Sequence, residues 1–218
     1  MSTTATATRP RKAAGSAPAG HRERLIAAMG TSVEAKGFRN TAVSDVVRIA
    51  RTSRRSFYEH FTDREACFLA LFEATTEEMM SAIRRAVRSR DTREDQVDAA
   101  LEAYFASVAA RPKLFRSFTR ELPALGQAGA ERQRTAVARF ARTLVELPGP
   151  RGGATRRRVA GGQLGRDAAI IIVSGLRELT VGALEQRRGV DELRANAATI
   201  VKAIIAATMG DGPGAGRR

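Results

Sequence analysis

The sequence predicts an all-α protein of about nine helices. Three observations carry that prediction. Apolar residues recur at three- and four-residue spacing in segment after segment from His21 to Met209, residue types that cap helices stand at the starts of several of those segments, and no stretch alternates apolar and polar side chains as a half-buried strand does. A length of 218 residues is ample for a buried core and suits one or two domains.

Residues 1–20 are rich in Ala, Thr, Ser, Gly and Pro and carry Arg9, Arg11 and Lys12, a composition that predicts disorder in the free protein. Two readings of this stretch stand side by side: a basic arm that tracks phosphates or enters a minor groove, and an inert solvated tail. Leu25, Ile26, Met29 and Val33 then form the stripe of a first amphipathic helix over His21 to Lys36, closed by Gly37. Thr41 stands where an N-cap belongs, ahead of Val43, Val46, Val47, Ile49 and Ala50, so a second helix of about two turns is expected before Arg51 and Thr52.

Ser53 caps a third helix, SRRSFYEHF, in which Phe57 and Phe61 share one face while Arg54, Arg55, Tyr58 and His60 spread over the rest. Two short helices joined by a tight turn make a helix-turn-helix, whose second helix enters a DNA major groove by its N-terminal residues. Here those are Arg54, Arg55 and Ser56, with Thr52 and Ser53 just ahead of them. Thr62-Asp63-Arg64-Glu65 reads as a capping box, Thr62 capping a long fourth helix and Glu65 reaching back to it. Its apolar residues Phe68, Leu69, Leu71, Phe72, Met79, Met80, Ile83 and Val87 continue to about Arg90.

Val97, Leu101, Tyr104, Phe105 and Val108 make a fifth stripe that ends near Pro112, and Lys113 to Glu121 a short sixth helix stopped by Pro123. A seventh runs from about Ala130 to Leu147 with Val137, Phe140, Leu144 and Leu147 on its apolar side. Pro148 to Gly165, with its Arg156-Arg157-Arg158 run, reads as a surface loop. Asp167 to Gln186 and Asp191 to Met209 close the chain as two further helices.

The Gly37-Phe38 bend, the run Thr41 to Val47, the third helix ending Phe57-Tyr58-Glu59-His60-Phe61, and Asp63-Arg64-Glu65 opening the next helix resemble, in order and spacing, the TetR family of bacterial transcription regulators. The resemblance spans roughly Arg22 to Phe72. It implies an N-terminal helix-turn-helix DNA-binding domain over 21–66 and a helical ligand-binding and dimerisation domain over 67–209, flanked by the arm 1–20 and a flexible tail 210–218. It further implies a homodimer.

Departures from the family pattern have consequences of their own. Arg51 and Thr52 stand where many relatives have Gly then Val, and a non-Gly residue in a left-handed turn costs about 1–2 kcal/mol. Arg55 replaces a small residue and offers a bidentate fork for guanine O6 and N7. Arg64 replaces a commoner lysine that contacts phosphate, a task a guanidinium performs at least as well.

The charge agrees with a polyanionic partner. Lys and Arg number 37 against 23 Asp and Glu, a formal charge of +14 with a pI near 11.4, and residues 1–61 hold eleven of the basic and four of the acidic side chains. High Arg and Ala content also follows from a GC-rich genome, so charge alone carries modest weight. The longest relevant apolar run, Ala168 to Val173, falls far short of a membrane span. The lone cysteine, Cys67, and the lack of a signal-like apolar stretch point to the cytoplasm. His21 and His60 are the only histidines, and no phosphate-cradling loop, paired cysteine ligands or nucleophile elbow is present. No enzyme activity, cofactor or metal is expected.

The Ile170 to Val173 run is apolar all round, so its helix should be buried on two sides. Pairing the last two helices with their symmetry mates would supply the second side as a four-helix interface, with Ile171, Gly175, Gly182, Val201 and Ile205 as contacts. A monomer burying both sides internally is the competing arrangement. Tyr104, Phe105, Phe115 and Phe118 are candidate linings of a ligand cavity or plain core. Arg177 and Glu178 either orient a polar group of a ligand or form a salt bridge at the dimer interface.

The resulting expectation is a regulator of double-stranded DNA. Arg54, Arg55 and Ser56 read base edges, Thr41, Tyr58, His60 and Arg64 hold phosphates, and a small-molecule effector releases the dimer from a near-palindromic operator. The contrasting expectation is a helical adaptor using its basic surface on RNA, an anionic membrane or an acidic protein.

Overall fold

In the computed structural model, residues 20–146, 164–186, 188–189 and 191–210 are described. The basic arm, most of the expected loop between the seventh and eighth helices, Leu147 and the C-terminal tail lie outside them. Among the described residues there are nine helices and no strand: α1 (His21–Lys36), α2 (Val43–Ile49), α3 (Arg54–His60), α4 (Arg64–Arg88), α5 (Arg93–Ala110), α6 (Pro112–Ala124), α7 (Gly126–Val145), α8 (Arg166–Glu185) and α9 (Asp191–Gly210).

The caps explain the boundaries and correct several expected ones. Ala42, not Thr41, is the N-cap of α2. The Asp45 carboxylate accepts its N–H at 2.9 Å. The Lys36 ammonium donates to the same carboxylate at 2.7 Å, and these two bonds hold Asp45 below the usual carboxylate range. For α4 the cap is Asp63 rather than Thr62, its side chain accepting from Ala66 N–H at 2.6 Å. Pro112 serves as the first residue of α6, a position where its missing N–H is no loss. Pro123 fails to stop that helix because it falls in the last turn, where Leu125 N–H still reaches Glu121 and Leu122 carbonyls.

Helix α7 starts at Gly126, four residues ahead of the expected Ala130, because Gly126 takes the turn at φ +61°. Gly129 then lets the two helices touch. A Cβ there would stand 2.0 Å from Leu122 O.

Two apolar cores share the molecule. The first joins Leu25, Ile26, Met29 and Val33 of α1, Val46 of α2, Phe57 of α3 and Phe61 at its end, and Phe68 and Leu71 of α4. Phe38 stacks on Phe68 with ring centroids 4.1 Å apart. Leu114, Phe118 and Leu122 of α6 belong to this core too, although they lie far along the chain. The second core holds Met79, Ile83 and Val87 of α4 together with apolar residues of α5, α7, α8 and α9. Helices α4 and α6 thus take part in packing on both sides of the junction, Phe115 touching both cores.

Candidate nucleic-acid interface and interior cavity

Helix α3 is fixed by its inner face. Ser53 Oγ accepts the Ser56 N–H at 3.1 Å, capping the helix as expected, and Phe57 and Phe61 are buried. What faces outward is a stripe at helical spacing: Arg54, Arg55, Tyr58 and Glu59 are exposed, with His60 beyond them. Arg55 Nε pairs with Glu59 Oε1 at 3.3 Å one turn on, yet its side chain remains 89% exposed. Ahead of the helix Thr52 is half-buried and Ser53 exposed. Arg51 takes φ +51°, the only non-Gly residue with positive φ among the described residues, which is the left-handed turn expected where relatives carry Gly.

Three expected DNA contacts are engaged elsewhere. Ser56 is buried against α1, its Oγ 3.0 Å from His21 Nδ1, so it cannot reach a base edge while that contact lasts. Thr41 is buried as well; its hydroxyl donates to Gly37 O at 2.9 Å and meets Ser32 Oγ at 3.0 Å. Arg64 turns back over the N-terminal head, the unit made by α1, α2 and α3. Its Nη1 donates to Thr41 O at 3.0 Å and more weakly toward Arg39 O and Phe38 O, its Nη2 binds Glu65, and its guanidinium lies 4.4 Å from the Phe38 ring centroid. These three side chains brace the head. Sequence spacing does not show this, because the His21 ring, the Ser32 hydroxyl and the Thr41 carbonyl, which take up Ser56, Thr41 and Arg64, come from other helices or loops.

At the junction of the two cores lies a cavity of about 180 Å³. Its walls come from α4 to α9. Phe72, Thr75, Thr76, Met79 and Ile83 line it from α4, Tyr104 from α5, Phe115 and Phe118 from α6, Gln133 and Phe140 from α7, and Leu176, Arg177 and Thr180 from α8. Of the six expected lining residues, Tyr104, Phe115, Phe118 and Arg177 are there. Phe105 is instead fully buried in the second core, its ring edge-on to Tyr104 at 5.1 Å. Glu178 is 76% exposed and outside the lining.

Thr75 and Thr76 had a legible signal, two hydroxyls on the same helical face as Phe72, Met79 and Ile83. Gln133, one turn before Val137 on the apolar side of α7, had the same one.

Polar groups in the cavity are few and partly paired. Thr180 donates to Leu176 O at 2.8 Å and therefore accepts the Tyr104 hydroxyl proton at 3.0 Å. Burial raises the Tyr104 pKa, which keeps that proton in place. Beside the cavity, Glu77 of α4 accepts from Arg84 at 2.6 Å and from Arg139 of α7, and these bonds lower its pKa against a smaller opposing effect of burial. Cys67 is sealed in the first core, where burial pushes its thiol up to about 12, as an inert core residue requires.

Helix α8 presents an unpaired face. Ile171 is 63% and Leu179 46% exposed, and Gly175, on the same stripe, would leave an added Cβ in open space, as would Gly182 about two turns further along. Val201 and Ile205 do not join them. Both are buried in the second core, and among the described side chains of α9 the exposed large apolar one is Ile200. No helix among the described residues is long and apolar enough to cross a membrane, and no cluster of His, Cys, Asp and Glu able to hold a metal occurs among them.

Residues 27–71 match the family profile of bacterial regulatory proteins of the tetR family. Solved structures give the same fold over most of the chain. The fatty acid degradation regulator FadR from Bacillus halodurans is 17% identical, with 93% of this chain and 100% of that one covered and a TM-score of 0.61. A TetR-family transcriptional regulator from Streptomyces coelicolor, SCO4454, is 16% identical over 87% and 90% of the two chains, with a TM-score of 0.62. FadR from Bacillus subtilis, in complex with stearoyl-CoA, is 14% identical over 85% and 96%, with a TM-score of 0.56. At such identities the likeness is one of fold. No curated protein matches the sequence.

Proposed function

We propose that this chain, whose residues 27–71 match the profile of bacterial regulatory proteins of the tetR family, is a homodimeric, effector-released repressor of a near-palindromic operator. The family and fold support a DNA-binding transcriptional regulator. The observation that carries the finer reading is where large apolar side chains are left exposed. Among the described residues they are Tyr58 on α3 and Ile171, Leu179 and Ile200 on α8 and α9, one group on the helix that would enter a groove and the other on the helices that would pair two subunits.

Each subunit sets the Arg54, Arg55 and Tyr58 stripe into a major groove. A two-fold dimer must hold two such stripes about 34 to 36 Å apart to engage successive turns. Phe118 supports a route from effector to DNA. It lines the cavity while packing on Phe68 of the head core at 5.4 Å and on Phe72 at 5.2 Å, so a guest that displaces it shifts what α4 rests on. The stearoyl-CoA bound by FadR from Bacillus subtilis supports a small-molecule effector in this fold.

Gel shift against the DNA upstream of the chain's own gene tests this reading. Saturable binding that survives excess random duplex is the expected result. Equal competition by random duplex overturns operator recognition and returns the protein to a general polyanion binder.

A further inference from the structure

We propose that the cavity takes an apolar carboxylate, a molecule with a hydrocarbon body and one anionic head, and that Arg177 holds the head. This rests on the cavity being the effector site and adds the chemistry of the effector.

Among the described residues that line the cavity, Arg177 is the one cation, and there is no Asp or Glu. Its charge is poorly matched within the protein. Glu178 Oε2 stands 3.7 Å away on a side chain that points largely to solvent. Gln133, once its amide is turned so that the oxygen faces the guanidinium, accepts from Nε at 2.8 Å, from Nη1 at 3.0 Å and from Nη2, but it brings a dipole and not a charge. A cation on an apolar wall is costly to hold unless it gains an anionic partner, and the planar fork of a guanidinium matches a carboxylate by two parallel bonds. The Arg177 side chain is 36% exposed, which sets the head at the cavity's edge and the body inward among Phe72, Met79, Phe115 and Phe140.

A second observation points to a guest. Threonines in helices commonly donate to the carbonyl a turn back, and Thr31, Thr119, Thr143, Thr180, Thr199 and Thr208 do so here. Thr75 does not. Its side chain lines the cavity, the residue is only 7% exposed, and its hydroxyl has no partner. Buried polar groups are nearly always paired, and an oxygen on the guest would pair this one. At about 180 Å³ the cavity is slightly larger than an apolar cavity of roughly 150 Å³ that holds one benzene, which gives room for a compact apolar group.

Titration calorimetry and thermal melts with four probes test the proposal: decanoate, 4-phenylbutyrate, 1-decanol and decylamine. At least one acid should bind tenfold or more tightly than 1-decanol and raise the melting temperature. The two acids tell an acyl-chain effector from an aryl one. Arg177→Gln should erase the preference for acid over alcohol while keeping 1-decanol binding and the wild-type circular dichroism spectrum, and Arg177→Lys, which keeps the charge without the fork, should restore part of it. If 1-decanol or decylamine binds as well as the acids, or Arg177→Gln keeps the acid preference, the carboxylate assignment is overturned and the effector site stands. Binding of none of the four overturns both.

Discussion

Arg64 shows how far a single side chain's role depends on partners that spacing does not reveal. Its position at the start of the fourth helix suits a phosphate contact, yet its donors are spent on the Thr41 carbonyl and neighbouring backbone and its plane on Phe38. Arg64→Ala should therefore lower the stability of the DNA-free protein by about 1–3 kcal/mol, the scale of hydrogen bonds to a charged group. Urea unfolding followed by circular dichroism measures this, and an unchanged midpoint would return Arg64 to a purely DNA-facing role.

The same reasoning separates what was legible from what was not. Phe57, Phe61, the Ser53 cap and the left-handed Arg51 follow from helical periodicity and from one substituted glycine. Ser56 and Thr41 do not, because His21 and Ser32, the groups they bond, lie on another helix, α1, whose placement the spacing does not give. Tyr104 and Phe105 are neighbours about 100° apart on one helix, so the pair was visible as apolar while the choice of which faces the cavity was not. Arg177 had two open readings, and the fold places it in the cavity lining with Glu178 3.7 Å away, so that the binding experiment chooses between them.

At the scale of elements, α6 and α7 are joined by contacts that leave no slack. An added methyl at Gly129 would overlap the Leu122 carbonyl, so Gly129→Ala should cost about 1–3 kcal/mol, as overpacking does, and a thermal melt should show the loss. Unchanged stability would mean that the two helices part without penalty.

Glu77 clamps α4 to α7 through Arg139, and its pKa is lowered in the fold. A depressed carboxylate contributes stability above its unfolded pKa and loses it as pH falls through the folded one. The melting-temperature gap between wild type and Glu77→Gln should thus be open at neutral pH and close through and below the ordinary carboxylate range. A gap independent of pH would exclude the charge as its source. Boundaries were the least legible part of the elements. Pro123 reads as a stop in sequence but falls where the last turn no longer needs its N–H, and Gly126 starts the next helix at once.

For the whole molecule, an exposed apolar stripe on α8 and a basic stripe on α3 must work together if two heads are to meet one operator. Ile171→Glu should convert the proposed dimer to monomer in sedimentation velocity and weaken operator binding without unfolding the chain, since the side chain is 63% exposed. A dimer that survives the change would move the interface away from α8.

The central claim is that the α3 stripe reads sequence, and Arg55 is a fork of that stripe with its side chain 89% exposed. Anisotropy titrations of wild type and Arg55→Ala on operator and random duplex at one salt concentration test it directly. The account predicts a loss of about 1–3 kcal/mol on the operator with random-duplex affinity nearly unchanged. Equal losses on both duplexes would contradict it and make Arg55 a phosphate contact.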